Sequence, residues 1–288
     1  MKYQYTDEDL KKLHAVLFDI LGEIVRVCDT LGIDYFIQGG SAMGIYFEND
    51  IMAWDDDIDV GMTRHNYNRF LKEAPAVLKP GYFLAWYGTD PNTPFYFAKL
   101  RKEGTVFLEE TCQNLKMHHG IYVDVFPFDK VPDNKRLQKI QRKACNRLLE
   151  CFSAKSVWTW AHWGKCEIEK PHKKGFWGCL FTRIVSAILP KRLIYRMMCG
   201  LQSLFNNTAA THYNIVMTSV DHIPVKDIEN PQTLRFGPLM VTTPSNLESY
   251  LHNHYGKNIQ RIPPKEKQIN HAPLRLEFDN AFTTTQPQ

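Results

Sequence analysis

Four aspartates crowd into Trp54-Asp55-Asp56-Asp57-Ile58-Asp59. Carboxylates this close repel one another unless cations or solvent neutralise them. On a strand, side chains alternate between faces, so Asp55, Asp57 and Asp59 would share one side while Ile58 and Val60 point into a core. Carboxylates facing one way suit a hard divalent cation, Mg2+ or Mn2+, completed by water and phosphate oxygens. An EF-hand calcium loop does not fit. Counted from Asp55, Val60 stands where the loop needs Gly and Asn66 where it needs Glu. A solvated acidic turn is the plainer alternative, and the apolar residues between the acids argue against it.

Other residues could complete such a site. Gly39-Gly40-Ser41 falls between an expected strand and helix, where backbone N–H groups and a hydroxyl can hold a phosphate. Alone it is an ordinary turn; ahead of an Asp-x-Asp strand it has the layout of the nucleotidyltransferase superfamily, whose third carboxylate lies on a later strand. Asp124 interrupts the apolar run Gly120-Ile121-Tyr122-Val123-Asp124-Val125-Phe126-Pro127 and is the candidate for that role. A buried acid is costly without a partner, and a metal would supply one. An Asp at a strand edge, bonded to backbone, is the alternative. Lys99 and Arg101 share one face of an expected strand, with Ala98 and Leu100 turned inward. Two cations there suit a diphosphate, or form a solvated basic face. Arg64 opens the helix after the acidic strand, and His118-His119 precede the Asp124 strand.

The positioning elements can be read from pattern. Thr6 and Asp9 resemble a capping box, and Leu10, Leu13, Leu17, Ile20, Ile24, Val27 and Leu31 recur at helical spacing before Gly32. The pattern predicts a helix over residues 7–31. Strands are predicted at Ile33–Ile37 and Asp57–Met62, and a helix capped by Thr63 runs to Glu73. Tyr82–Tyr87, Phe95–Lys102, Val106–Glu109 and Ile121–Phe126 read as further strands. Lys135 to Phe205 reads as helical and basic, and a last helix lies near Leu247–Tyr255. The division is one domain over 1–288: a core with the metal site at 1–134, a helical insert at 135–205 and an α/β closure at 206–288.

The 288 residues, 44% hydrophobic and 23% charged, have a globular balance, and a net charge of +4 is too mild to indicate nucleic-acid binding. No apolar leader follows Met1, and no run reaches the roughly 20 apolar residues that span a bilayer. Seven cysteines without metal-like spacing suggest reduced thiols in a cytoplasmic chain. Trp158, Trp160, Trp163, Phe176, Trp177 and Phe181 mix with Lys155, Lys165, Lys170, Lys173, Lys174, Arg183, Lys191, Arg192 and Arg196. That composition suits peripheral contact with an anionic inner membrane leaflet, or an ordinary helical hairpin with solvated lysines.

Together these residues resemble the LicD family, phosphotransferases similar in fold to nucleotidyltransferases and related to the fukutin-type ribitol-phosphate transferases. The resemblance rests on Gly39-Gly40-Ser41-Ala42-Met43-Gly44, on Trp54 to Met62, on Phe97-Ala98-Lys99-Leu100-Arg101, on Gly120 to Pro127, and on Tyr255-Gly256 with Pro263-Pro264-Lys265-Glu266-Lys267. It implies a mixed α/β (α+β) sheet flanked by helices, with a helical basic and aromatic insert. It implies transfer of a substituted phosphate, phosphocholine foremost, from a CDP-linked donor such as CDP-choline to a hydroxyl of a cell-surface glycan or its lipid-linked precursor. Asp57 and Asp59 would hold the metal with Asp124 as third acid. Gly39, Gly40, Ser41, Lys99 and Arg101 would bind donor phosphates, with Trp54, Asp55 and Arg64 in support. At Phe47, where many members carry an Arg nearby, the sequence departs from the family pattern. Nucleotidyl transfer to a small molecule is the alternative chemistry, and a non-catalytic binding module the alternative class.

Overall fold

The computed structural model describes residues 3–157, 176–218, 222–257, 259–261 and 271–279. Tryptophans 158, 160 and 163, the lysines from 165 to 174, and the Pro263–Lys267 motif lie outside the described residues, as do the side chains of Phe176 and Trp177.

Helix α1 (Asp7–Leu31) has the predicted bounds, with both halves of the Thr6–Asp9 capping box and Gly32 closing it in the left-handed conformation. Its apolar stripe, including Leu13, Leu17, Ile20, Ile24 and Val27, is wholly buried against a sheet. The chain then forms β1 (Phe36–Ile37), α2 (Gly39–Glu48), β2 (Asp59–Thr63), α3 (Arg64–Glu73), β3 (Tyr82–Ala85), β4 (Ala98–Lys102), β5 (Val106–Leu108) and β6 (Tyr122–Val131). The principal sheet runs β1-β2-β6-β4-β3, with β2 and β6 parallel and the other neighbours antiparallel. The far half of β6 leaves this path to pair with β7 (His212–Asn214), which pairs with β8 (Ile223–Pro224). The result is a mixed α/β fold, a curled sheet flanked by helices, of nucleotidyltransferase-like architecture.

Among the described residues, three α-helices stand between β6 and β7: α4 (Lys135–Val157), α5 (Phe176–Ile188) and α6 (Lys191–Gln202). They enclose a separate small core of Cys151, Phe152, Ile194 and Met198. After β8 come α7 (Val225–Glu229), the hairpin β9 (Gln232–Phe236) and β10 (Leu239–Thr243), α8 (Leu247–Tyr255), and β11 (Arg275–Glu277), which pairs with β5.

Several local expectations change: β1 begins at Phe36 and not at Ile33, β4 at Ala98 and not at Phe95, and β3 ends at Ala85 and not at Tyr87. Strand β2 begins at Asp59, two residues later than predicted, so Asp55, Asp56 and Asp57 ride on irregular backbone and do not alternate as a strand would. Strand β6 runs on through Pro127 to Val131.

Candidate active site

The site is set by strand register. Asp59 of β2 lies opposite Asp124 of β6, and Asp124 lies opposite Lys99 of β4. Neighbours across a sheet point the same way, so the three form one row over three adjacent strands. The amino end of α2 packs against this row. The Ser41 hydroxyl accepts the Asp59 backbone N–H at 3.0 Å, and the Gly39 N–H donates to the Tyr250 hydroxyl at 2.7 Å. Gly39 has φ +60°, and a Cβ there would lie 2.9 Å from an Asp59 carboxylate oxygen; one on Gly40 would lie 2.9 Å from an oxygen of Asp55. The glycines therefore let a helix start come within contact of two carboxylates, where its dipole favours negative charge. Ser41 keeps its own O–H free to donate while its oxygen is engaged.

The row is electrostatically loaded. Burial first, then the charges of Asp57 and Asp124, hold the Asp59 carboxyl well above its ordinary range. Asp55 is raised likewise by burial and by Asp57 and Asp56. Burial pushes Asp124 up to about 6, against the pull of Lys99. The Lys99 ammonium lies 2.8 Å and 3.2 Å from the two Asp124 oxygens. The nearer oxygen meets it at too poor an angle for a hydrogen bond and has no hydrogen-bond partner among the described residues. Lys99 also sits 3.4 Å from the Tyr122 ring centroid and 4.5 Å from that of Phe95. The partner of the buried acid is thus already a lysine. Arg101 shares the Tyr122 ring and is 1% exposed, donating to the Gly120 carbonyl at 2.8 Å and lying 3.9 Å from Glu109.

Other candidates are committed elsewhere. Arg64 makes a bidentate pair with Asp129, further along β6, at 3.0 and 2.5 Å. His118 stacks on Phe83 and accepts the Gly120 N–H, and His119 bonds the Leu115 carbonyl. Trp54 is half-buried at the start of the acidic loop.

His271, Tyr5 and Asp56 form a part that sequence reasoning did not find. Asp56 is 2% exposed. It accepts the Tyr5 hydroxyl at 2.7 Å and the His271 backbone N–H at 2.8 and 2.9 Å. The His271 Nδ1 lies 3.0 Å from an Asp57 oxygen and 3.5 Å from Asp56. Hydrogen bonds to these two acids raise the imidazole to about 11. No local pattern marks His271: it is separated from the acids by most of the chain and brought to them by the pairing of β11 with β5. Ligand atoms of Asp56, Asp57 and His271 lie within 4.8 Å of one another and could hold a divalent metal. Asp56, however, already spends its oxygens on Tyr5 and His271. Asp57, Asp59 and Asp124 are a second set of oxygen donors, the kind a hard cation prefers. Burial first, then neighbouring charges, hold Asp59 and Asp124 high, and one Asp124 oxygen has no hydrogen-bond partner among the described residues.

Residues 32–158 match the LicD/FKTN/FKRP nucleotidyltransferase domain. These residues thus resemble a domain of the LicD family of nucleotidyltransferase-like phosphotransferases. A stretch of 62 residues is 36% identical to the lipopolysaccharide cholinephosphotransferase LicD of Haemophilus influenzae, covering 22% of this chain and 23% of that protein. The match thus spans less than a quarter of either chain.

Proposed function

We propose that the chain moves a substituted phosphate, phosphocholine foremost, from a CDP-linked donor to a hydroxyl of a surface glycan or its lipid-linked precursor. The observation that carries this reading is the Asp59–Asp124–Lys99 row, with the glycine-initiated helix α2 against it. Asp57, Asp59 and Asp124 would hold Mg2+ or Mn2+, which would neutralise the diphosphate and the leaving nucleotide. The backbone and hydroxyl of Gly39, Gly40 and Ser41 face the donor phosphates, with Lys99 adding positive charge. Arg101 acts from beneath, holding Tyr122 and Glu109, and Asp55 and Trp54 shape the loop. Arg64 supports the fold through Asp129.

In the reaction the acceptor oxygen bonds to the phosphorus that bears choline, and the bond from that phosphorus to the oxygen of CMP breaks. The acceptor's proton passes to a carboxylate of the row, for which Asp124, opposite Asp59, is placed. A cytoplasmic setting agrees with free thiols at Cys28, Cys112, Cys145 and Cys199. The chain works as one catalytic unit over 1–288, with 135–205 as its helical insert. Incubating the protein with CDP-choline, Mg2+ and candidate glycans, then weighing the products, tests the reading. A gain of phosphocholine supports it, and a gain of a nucleotide assigns nucleotidyl transfer instead. If Asp57→Asn and Asp59→Asn proteins transfer as fast as the parent, the assignment of the site is wrong.

A further inference from the structure

We propose that the outer faces of α5 and α6 dock on an anionic lipid surface, a contact that does not depend on the phosphotransfer reading. Both helices turn one side to α4: Val185 of α5 with Leu189 just after it, and Ile194 and Met198 of α6, pack with Cys151 and Phe152. The opposite sides are apolar and bare. On α5, Phe181, Ile184 and Ile188 are 47%, 49% and 72% exposed, and on α6 Leu193 and Met197 are 42% and 45% exposed. Their spacing puts each set on one helical stripe. Five of the eleven large apolar side chains exposed among the described residues fall on these two helices, a concentration beyond the single scattered residues normal on a protein surface.

Charge selects the partner. From Phe176 to Phe205 the chain has no Asp or Glu and carries Arg183, Lys191, Arg192 and Arg196. Lys191 is turned inward onto the Pro91 and Thr93 carbonyls, but Arg192 and Arg196 are exposed, one turn apart, beside Leu193 and Met197. A second copy of the chain would set like charges against like, which opposes self-association through this face. An anionic bilayer accepts both features: apolar side chains enter the acyl boundary and guanidiniums sit at the phosphate level. No helix among the described residues is long and apolar enough to cross a membrane, so the contact is one of lying on the surface.

Vesicle flotation of the full chain tests this, using phosphatidylcholine alone and phosphatidylcholine mixed with phosphatidylglycerol. The protein should float with the mixed vesicles and lose about tenfold of that binding on neutral vesicles or in high salt. Ile188→Glu with Met197→Glu, and separately Arg192→Gln with Arg196→Gln, should each weaken binding at least about tenfold with the melting temperature unchanged. Three results would overturn the proposal: no flotation of the parent protein, flotation indifferent to both double variants, or a dimer in solution that Ile188→Glu with Met197→Glu converts to monomer.

Discussion

Lys99 is the residue on which the acids depend. Its ammonium is 3% exposed and faces a carboxyl that is itself buried. Breaking a buried ion pair from one side leaves the other charge uncompensated and costs about 3–5 kcal/mol. Lys99→Met should therefore lower the unfolding free energy by about that much in chemical denaturation, and should remove transfer activity as Asp124 becomes harder to ionise. A variant as stable as the parent would mean that Asp124 is compensated by something other than Lys99. The same acid gives a pH signature. Asp124 titrates at about 6 in the folded chain, above its ordinary 3.8. Between those values the folded chain holds a proton that the unfolded chain has released. This group's stabilising contribution is fully present below the lower value and is lost as pH rises through the upper one. A bound cation competes with that proton. Added Mg2+ should therefore raise the melting temperature more at about pH 8 than at about pH 5. An equal or reversed shift would remove the carboxylate row as the cation's site.

Helix α2 brings its glycine-rich start to the acids, and it does so through a position only glycine fills easily. Gly39→Ala would force an L side chain into the left-handed region at a cost of about 1–2 kcal/mol, with its Cβ 2.9 Å from an Asp59 oxygen. The melting temperature should fall by a few degrees, while turnover should fall at least about tenfold if the displaced carboxylate has the metal-holding role proposed for it. Loss of activity no greater than the loss of folded protein would contradict this. Helix α1 was legible in the sequence, because a capping box and a long apolar repeat fix its bounds, and the shorter α8 also has the predicted bounds. The Asp124 strand was legible from its apolar run. The two- and three-residue strands β7, β8 and β11 were not, since they carry too few residues to show a period and owe their conformation to distant partners. The acidic loop was misread as strand for a related reason. Asp-x-Asp alternation looks like a pleat, but Asp55 to Asp57 are placed by Tyr5, His271 and the His14 ring on the Asp55 carbonyl, which no local rule contains.

At the scale of the molecule, the acidic loop is where both ends of the described chain meet. The Tyr3 N–H donates to the Pro273 carbonyl at 2.7 Å, the Leu274 N–H to the Leu108 carbonyl at 2.7 Å, and Asp56 gathers Tyr5 and His271 between them. Adjacent aspartates therefore have opposite duties. Asp56 ties the amino-terminal segment and the β11 segment to the loop, whereas Asp57, half-buried beside Asp59, adds to the repulsion that a cation would relieve. Asp56→Ala leaves the Tyr5 hydroxyl and the His271 N–H without their acceptor. Charged hydrogen bonds of this kind contribute about 1.5–3 kcal/mol each, so unfolding should be easier by a few kcal/mol. Amide exchange should quicken at residues 271–279 before it does in β6. Asp57→Asn should cost less stability than Asp56→Ala, because loss of its charge on His271 is offset by relief of the repulsion on Asp59, while it abolishes transfer and the Mg2+-induced rise in melting temperature. Stability and exchange measured on the two variants side by side decide the matter. If Asp57→Asn unfolds as readily as Asp56→Ala, the two acids share one structural role and the division of labour within the loop is wrong.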